Sequence, residues 1–237
     1  TQNLGHGGGI YCSEDAIPEL RNCTIFNNWA KYGGGLVADN AFPTLIESVI
    51  LNNTADDKAG GIWTLNHSTV TLNDVVISGN QTDDAGRGGA IFNDLGSTII
   101  MDRVTVSSNM ARYGGGIFNY RDGIIEINDS EVIHNFTVND GNGGGIYLDY
   151  RCIITLNHVL VANNRANSRG GGIYIDNQMT GPELNLINVS LLRNSAGVEG
   201  GGVYLWNGSV AHIINSILWE NDPDQIFVSR TEPENFL

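Results

Sequence analysis

The chain has 237 residues, of which 41% are apolar and 16% charged, and its formal net charge is −14 at pH 7. This acidic balance excludes nucleic acid as a partner, since phosphate recognition needs clustered Lys and Arg, and no run of about 18 apolar residues exists that would predict membrane insertion. The 31 glycines stand against only 5 prolines, a ratio that indicates regularly placed tight corners rather than collagen or a linker.

Glycine pairs followed by an aliphatic residue recur along the whole chain. Successive aliphatic residues lie 26, 26, 29, 26, 29, 27 and 30 residues apart. A period of this length predicts one structural unit per repeat, with coils that open near residues 7, 33, 60, 88, 114, 143, 170 and 200 and a partial ninth coil over 222–237. The units begin at Gly8-Gly9-Ile10, Gly34-Gly35-Leu36, Gly60-Gly61-Ile62, the variant Gly88-Gly89-Ala90-Ile91, Gly115-Gly116-Ile117, Gly144-Gly145-Ile146, Gly171-Gly172-Ile173 and Gly201-Gly202-Val203.

An asparagine closes each unit, and two aliphatic columns precede it. One aliphatic residue stands three positions before each asparagine, from Ile25 to Leu218, and another stands eight positions before it, from Leu20 to Ile213. We expect each asparagine to occupy a corner, where it tolerates the left-handed conformation and bonds to the asparagine of the next coil. The predicted ladder is Asn28, Asn53, Asn80, Asn109, Asn135, Asn164, Asn194 and Asn221.

The pattern inside each unit predicts β-strands. Stretches such as Thr69–Leu72 and Ile124–Ile127 alternate apolar and polar residues at period two, and no stretch is convincingly amphipathic as a helix. Three short strands per unit match one turn of a solenoid whose columns stack about 4.8 Å apart. The sequence therefore predicts an all-β single domain over residues 1–237, a right-handed parallel β-helix (a single-stranded β-solenoid) of about eight coils.

The repeat resembles that of a known group of proteins. The opening Gly88-Gly89-Ala90-Ile91 and the closing Phe26-Asn27-Asn28 resemble the repeats of polymorphic outer membrane proteins. They are also similar to the wider pectate-lyase-like β-helix superfamily of secreted bacterial proteins. The resemblance covers nearly the whole chain and implies the fold; for function it implies adhesins, autotransporter passengers, polysaccharide lyases and hydrolases alike.

The residue after each opening aliphatic is nearly always aromatic, and it is predicted to lie on the outer face of the first strand. An exposed row of rings would bind a partner such as a sugar face or another protein. Alternatively, the rings stack along the solenoid under its own loops. The column contains Tyr11, Val37, Trp63, Phe92, Phe118, Tyr147, Tyr174 and Tyr204.

An acidic column lies two residues further on, at Asp39, Asp94, Asp149 and Asp176. Carboxylates on adjacent coils would lie about 5 Å apart, which is near the separation in retaining glycosidases. If the chain is an enzyme, Asp149 and Asp176 are the predicted catalytic pair. The alternative is that these aspartates cap the turn after the first strand.

Two acidic pairs fall in equivalent loops of adjacent coils. Asp56-Asp57 and Asp83-Asp84 would repel one another unless a cation, most plausibly Ca²⁺, bridged them. Lys58 and Arg87 offer the alternative means of neutralising the same charges.

The regular spacing of the coils favours a scaffold over an enzyme with a walled cleft. We therefore expect an extracellular or cell-surface solenoid with a structural or adhesive role; the alternative is a polysaccharide-binding or polysaccharide-cleaving protein that uses the first sheet. The expected partners are further subunits stacked end to end, or further domains of a longer chain. That expectation depends on apolar side chains at the terminal coils, at Leu4, Ile226, Phe227, Val228, Phe236 and Leu237.

Overall fold

The computed structural model describes residues 5–176, 181–206 and 208–229. These residues form four parallel β-sheets that run along the molecule, and each coil contributes one strand to each of the first three sheets. The architecture is the predicted all-β solenoid. No helix in the described ranges has the length and apolar character needed to cross a membrane.

The first two sheets carry most of the core. The first sheet contains β1 (Ile10–Ser13), β5 (Leu36–Asp39), β9 (Ile62–Leu65), β13 (Ile91–Asn93), β17 (Ile117–Asn119), β21 (Ile146–Leu148), β25 (Ile173–Ile175), β29 (Val203–Leu205) and β32 (Ile226–Val228). The second sheet contains β2 (Glu19–Arg21), β6 (Thr44–Ile46), β10 (Thr69–Asn73), β14 (Thr98–Asp102), β18 (Ile124–Asn128), β22 (Ile153–Asn157), β26 (Glu183–Ile187) and β30 (Val210–Ile214).

The other two sheets flank the asparagine corner. The third sheet contains β3 (Thr24–Phe26), β7 (Val49–Leu51), β11 (Val76–Ser78), β15 (Thr105–Ser107), β19 (Glu131–Ile133), β23 (Leu160–Ala162), β27 (Ser190–Leu192) and β31 (Ile217–Trp219). The fourth sheet contains β4 (Trp29–Tyr32), β8 (Thr54–Lys58), β12 (Gln81–Thr82), β16 (Met110–Ala111), β20 (Phe136–Thr137), β24 (Arg165–Ala166) and β28 (Ser195–Ala196).

The predicted aliphatic columns are in register from coil to coil. Ile91 pairs with Ile117 in the first sheet, and Ile77 pairs with Val106 in the third. All four of these side chains are buried in one continuous apolar core. The strand predicted from Gln225–Ser229 is β32, which pairs with β29 in the first sheet.

The expectation of three strands per coil is wrong, because each of the first seven coils has a fourth strand directly after its asparagine. Most of these strands are only two residues long and place a single small side chain inward, such as Thr82, Ala111 or Ala166. A strand this short cannot display period-two alternation in the sequence. The sequence pattern therefore indicates a loop where the structure has this strand.

The asparagine column forms a continuous hydrogen-bonded ladder in the core. Each side-chain amide donates to the Oδ1 of the next asparagine, from Asn28 to Asn221, over 2.9–3.1 Å. Each Oδ1 also accepts the backbone N–H of the preceding asparagine, as Asn135 does from Asn109 at 3.0 Å. The ladder thus satisfies the polar groups that a sharp corner buries.

The sequence predicts that the ladder asparagine adopts the left-handed conformation at this corner. That prediction is wrong. The positive φ belongs to the residue immediately before it, such as Ser108 (φ 56) or His134 (φ 56). This residue turns its side chain outward, so the following asparagine is free to point into the core and bond along the stack. The sequence could not separate the two positions because asparagines often occupy both.

The terminal coils leave apolar side chains partly uncovered. Ile226 and Val228, which point inward at the last strand of the first sheet, are both exposed. Leu4, Phe236 and Leu237 lie outside the described residues. End-to-end association stays a prediction.

Candidate functional site

The aromatic column forms a second apolar stack on the outer face of the first sheet. The ring centroids of Phe92 and Phe118 lie 5.2 Å apart, those of Phe118 and Tyr147 4.5 Å, and those of Tyr147 and Tyr174 4.8 Å. Stacked aromatic pairs at such distances stabilise a fold beyond the area they bury. Three further members, Val37, Trp63 and Tyr204, belong to the same buried cluster.

Most of these rings are buried, which contradicts an exposed row and agrees with the alternative that they stack along the solenoid under its own side chains. Phe92 is only 1% exposed, and Tyr11 in the first coil, at 45%, is the exception. The rings do lie on the outer face, but side chains from the end of each coil cover them. Outward orientation on a strand therefore does not mean exposure in this solenoid.

The covering side chains come from one position, the residue directly before each glycine-rich corner, which we call the corner column. Tyr32 packs on Trp63 with centroids 5.4 Å apart, and Tyr113 meets the ring of Tyr147 edge-on at 5.8 Å. Backbone bridges such as Arg87 with Tyr113 hold the column in register. The corner column comprises His6, Tyr32, Lys58, Arg87, Tyr113, Asn142, Arg169 and Glu199.

The acidic column forms the opposite edge of the same face, and its early members are paired. Asp39 accepts hydrogen bonds of 2.7 Å from the Tyr11 hydroxyl and from the Asn66 amide. Asp94 is 1% exposed, and Arg121 donates two hydrogen bonds to it, at 2.6 and 2.7 Å. Asp94 also accepts the N–H of Leu95 at 2.8 Å, which is the turn-capping role foreseen for this column.

Between the corner column and the acidic column lies a cleft of about 310 Å³. Its floor is part of the aromatic stack, one edge carries Asp149 and Asp176, and the other edge comes from the corner column. The lining residues are Arg87, Tyr113, Phe118, Asn142, Tyr147, Asp149, Tyr174 and Asp176. The structure therefore brings both predicted carboxylates together with three of the predicted aromatic residues.

Asp149 and Asp176 directly follow paired strands of adjacent coils. Leu148 pairs with Ile175, and the N–H of Asp176 donates to the carbonyl of Leu148 at 2.9 Å. The Tyr147 hydroxyl donates to Asp176 at 2.9 Å. Burial, and secondarily the charge of Asp176, raises the pKa of Asp149 to about 6. Burial likewise raises the pKa of the Tyr147 hydroxyl well above its ordinary value, so this group stays a donor.

The sequence reasoning missed Tyr113 and Asn142, and it placed Arg87 among the acidic loops. Arg87 does approach Asp57, at 3.8 Å, but it also lines the cleft. The available signal was positional, because all three residues stand directly before a glycine-rich corner. Residues directly before a corner belong to no period-two strand pattern, so the sequence assigns them no place in a site.

The structure does not gather Asp56, Asp57, Asp83 and Asp84 into a metal centre. Asp56 accepts the indole N–H of Trp29 at 3.0 Å, while Asp57 faces Arg87. Across the described residues, no group of three or more His, Cys, Asp or Glu side chains is arranged to hold a metal ion. The four carboxylates are dispersed over β8 and the turn after β12, which gives each pair different neighbours.

Comparisons with known proteins agree with this architecture. The family model described as a right handed beta helix region matches residues 3–127, which is more than half of the chain. The repeat described as a Chlamydia polymorphic membrane protein repeat matches residues 158–176. No curated protein and no solved structure matches the chain significantly. The chain therefore belongs to the right-handed β-helix family.

Proposed function

We propose that this chain is a surface-displayed β-solenoid with a structural or adhesive role, such as a stalk or matrix component. The observation that carries the proposal is the uninterrupted stacking of the first three sheets through all eight coils, with repeats of only 26–30 residues. Stacked coils of this kind form a stiff rod that holds binding surfaces away from their point of attachment.

The family comparison supports display at a surface. Residues 158–176 match a repeat named after a polymorphic membrane protein of Chlamydia. The net charge of −14 also suits a solvated, non-aggregating exterior.

Display can be tested on intact cells of the source organism with antibodies raised against the purified chain. We expect labelling without permeabilisation and loss of the signal after brief treatment with an external protease. Labelling that requires permeabilisation would contradict surface display. A cytoplasmic protein detected in parallel provides the control for cell integrity.

A second candidate is the binding or cleavage of a polysaccharide in the cleft. It is favoured by two carboxylates on adjacent coils of one cleft, one of which has its pKa raised to about 6, as a general acid requires. A screen of neutral and acidic glycans tests it. Cleavage that is lost in both Asp149→Asn and Asp176→Asn, but retained in Asp122→Asn, would establish an enzyme in place of a scaffold.

A further inference from the structure

The outer side of the asparagine corner carries no charged residue over the first five coils. Three positions of each coil form this surface: the last residue of the third-sheet strand, the left-handed residue that follows it, and the first residue of the fourth-sheet strand. They run from Phe26 to Ile133, from Asn27 to His134 and from Trp29 to Phe136. We call this surface the outer strip, and none of its residues is Asp, Glu, Lys or Arg. The chain has 26 Asp and Glu residues, and charged residues normally lie at the surface, so the neutral strip is distinct from the rest of the exterior.

Three aromatic rings of the outer strip are open to solvent. Trp29 is 66% exposed, Phe26 55% and Phe136 39%. Among the residues that the structure describes, no other ring stacks on these three and no cation lies over them. The rings of the first sheet differ, because they are buried and stack on one another. The outer strip therefore offers open ring faces on which a ligand can stack.

The chain holds one of these rings in place. The indole N–H of Trp29 donates a hydrogen bond of 3.0 Å to Asp56 of the next coil. This bond fixes the edge of the ring while most of the side chain stays in contact with water. A ring that is oriented before binding loses less conformational freedom when a ligand stacks on it.

Amide and hydroxyl side chains separate the rings. Thr54 and Gln81 follow Trp29 in register along the fourth sheet, and the Gln81 amide donates to the Thr54 hydroxyl over 3.4 Å. Ser78 and Ser107 pair at the equivalent place on the third sheet. Such side chains offer both donors and acceptors of hydrogen bonds.

A groove of about 520 Å³ opens at the far end of the outer strip. Phe136 lines it from the fifth coil, and Asn163 and Asn167 line it from the sixth. Arg165, the first charged residue in the column that begins with Trp29, also lines the groove. The rings of Trp29 and Phe136 are four coils apart, which is about 19 Å along the rod.

We propose that the outer strip binds a neutral glycan that lies along the rod. Sugar rings stack on Trp29 and Phe136, and sugar hydroxyls bond to the amide and hydroxyl side chains between them. The sugar units of an extended glycan repeat at a distance close to the spacing of the coils, so each coil can contact one unit. This inference rests on the adhesive form of the proposed function, for which it names the ligand class, and it does not involve the cleft of the first sheet.

Other partners fit the outer strip less well. An acidic glycan would approach a chain of net charge −14 and meet one cation, Arg165, at one end of the strip. The centre of a protein interface is a cluster of apolar side chains, whereas amides and hydroxyls lie between the rings of this strip. A neutral sugar presents both an apolar face and hydroxyl groups, which matches the alternation of rings and polar side chains.

Calorimetry of the purified chain with neutral hexasaccharides tests the proposal. The probes are cellohexaose, laminarihexaose, mannohexaose and chitohexaose, and hexagalacturonate is the acidic control. We expect at least one neutral probe to bind roughly 10-fold more tightly than its own disaccharide, because the longer chain reaches several coils, and we expect no binding of the acidic control. The measurement does not depend on display, so it can fail while surface labelling of cells succeeds, and the two failures are distinguishable.

Matched tryptophan variants place the binding on the outer strip. Trp29→Ala should weaken binding of the responding hexasaccharide roughly 10-fold, because it removes a stacking ring. Trp219→Ala is the control; it removes a ring that is 63% exposed but stands beside the Arg193–Glu220 ion pair, and it should leave binding unchanged. Asp56→Ala should weaken binding by a smaller factor than Trp29→Ala, because the ring remains but is no longer held. Circular dichroism checks that each variant is folded.

Several results would overturn the proposal. One is the absence of binding of every neutral hexasaccharide at millimolar concentration. Equal losses in Trp29→Ala and Trp219→Ala would indicate unspecific contact with exposed rings. Binding that is lost in Asp149→Asn but retained in Trp29→Ala would place the glycan in the cleft of the first sheet. A dimer that dissociates in Trp29→Ala during sedimentation equilibrium, with no glycan bound, would show that the outer strip is a contact between two copies of the chain.

Discussion

The side-chain amide of Asn109 donates a hydrogen bond of 2.9 Å to the Oδ1 of Asn135, one coil further along. The same amide donates to the carbonyl of Ile77 at 3.0 Å, so Asn109 joins three successive coils. Both ladder side chains are completely buried. An interior corner of this solenoid therefore depends on partners that come from its neighbours in both directions.

Replacement of Asn109 by alanine should destabilise the protein by about 1–3 kcal/mol, because buried amide and carbonyl groups lose their partners. The matched control is Asn28→Ala in the first coil, where the ladder residue is only half-buried. We expect this control to cost less than about 1 kcal/mol. Urea denaturation measures both values, and equal losses would contradict a cooperative ladder.

Removal of the Phe118 ring should cost about 3–5 kcal/mol, as for other buried phenylalanines. Phe118 is sandwiched between Phe92 and Tyr147. Tyr11→Ala, at the exposed first position of the column, should cost about 1 kcal/mol. Thermal unfolding of the two variants checks whether the aromatic stack is a second core, and a Phe118→Ala protein as stable as Tyr11→Ala would show that it is not.

Arg121→Met should cost on the order of 2 kcal/mol, because it leaves the buried Asp94 carboxylate without its bidentate partner. Arg151→Met provides the comparison. Its partner Asp122 has a side chain that is 52% exposed, so water can replace the lost ion pair and the cost should stay below about 1 kcal/mol. If the two substitutions are equally mild in denaturant titrations, Asp94 is solvated more than the structure indicates.

Asp149 should make the fold less stable as the pH rises from about 4 to about 6. The pKa of Asp149 is raised from 3.8 to about 6 in the folded protein, first by burial and then by the charge of Asp176. The folded chain therefore holds a proton in this range that the unfolded chain has released, so stability is greatest below the unfolded pKa and falls as the carboxylate ionises.

Asp149→Asn tests this assignment. The substitution should remove that part of the pH dependence and stabilise the protein at pH 7 by about 1 kcal/mol, a figure discounted for partial exposure. Melting temperatures of both proteins from pH 4 to pH 7.5 provide the measurement. Parallel curves would show that Asp149 titrates normally.

The sequence alone was sufficient for the solenoid repeat, its register and the asparagine ladder. In a solenoid, the same position of each coil has the same surroundings. Each inward position therefore recurs in the sequence every 26–30 residues with the same type of side chain, as Leu45, Leu72 and Met101 do. The pairing of adjacent coils then follows, since parallel strands in register place equivalent residues side by side.

The tertiary structure alone decided what covers the outer face. Periodicity separates inward from outward side chains on a strand, but it carries no information on whether another part of the coil folds over the outward ones. Tyr113 directly precedes the corner near residue 114, whereas Tyr147 belongs to the following coil, which opens near residue 143. The two rings are nevertheless in edge-on contact. The burial of the rings, the opening of the cleft at Asn142 and the raised pKa of Asp149 all depend on such contacts between coils. These contacts depend on the length of the side chains and on how they pack between coils. The repeat pattern in the sequence contains no information on either.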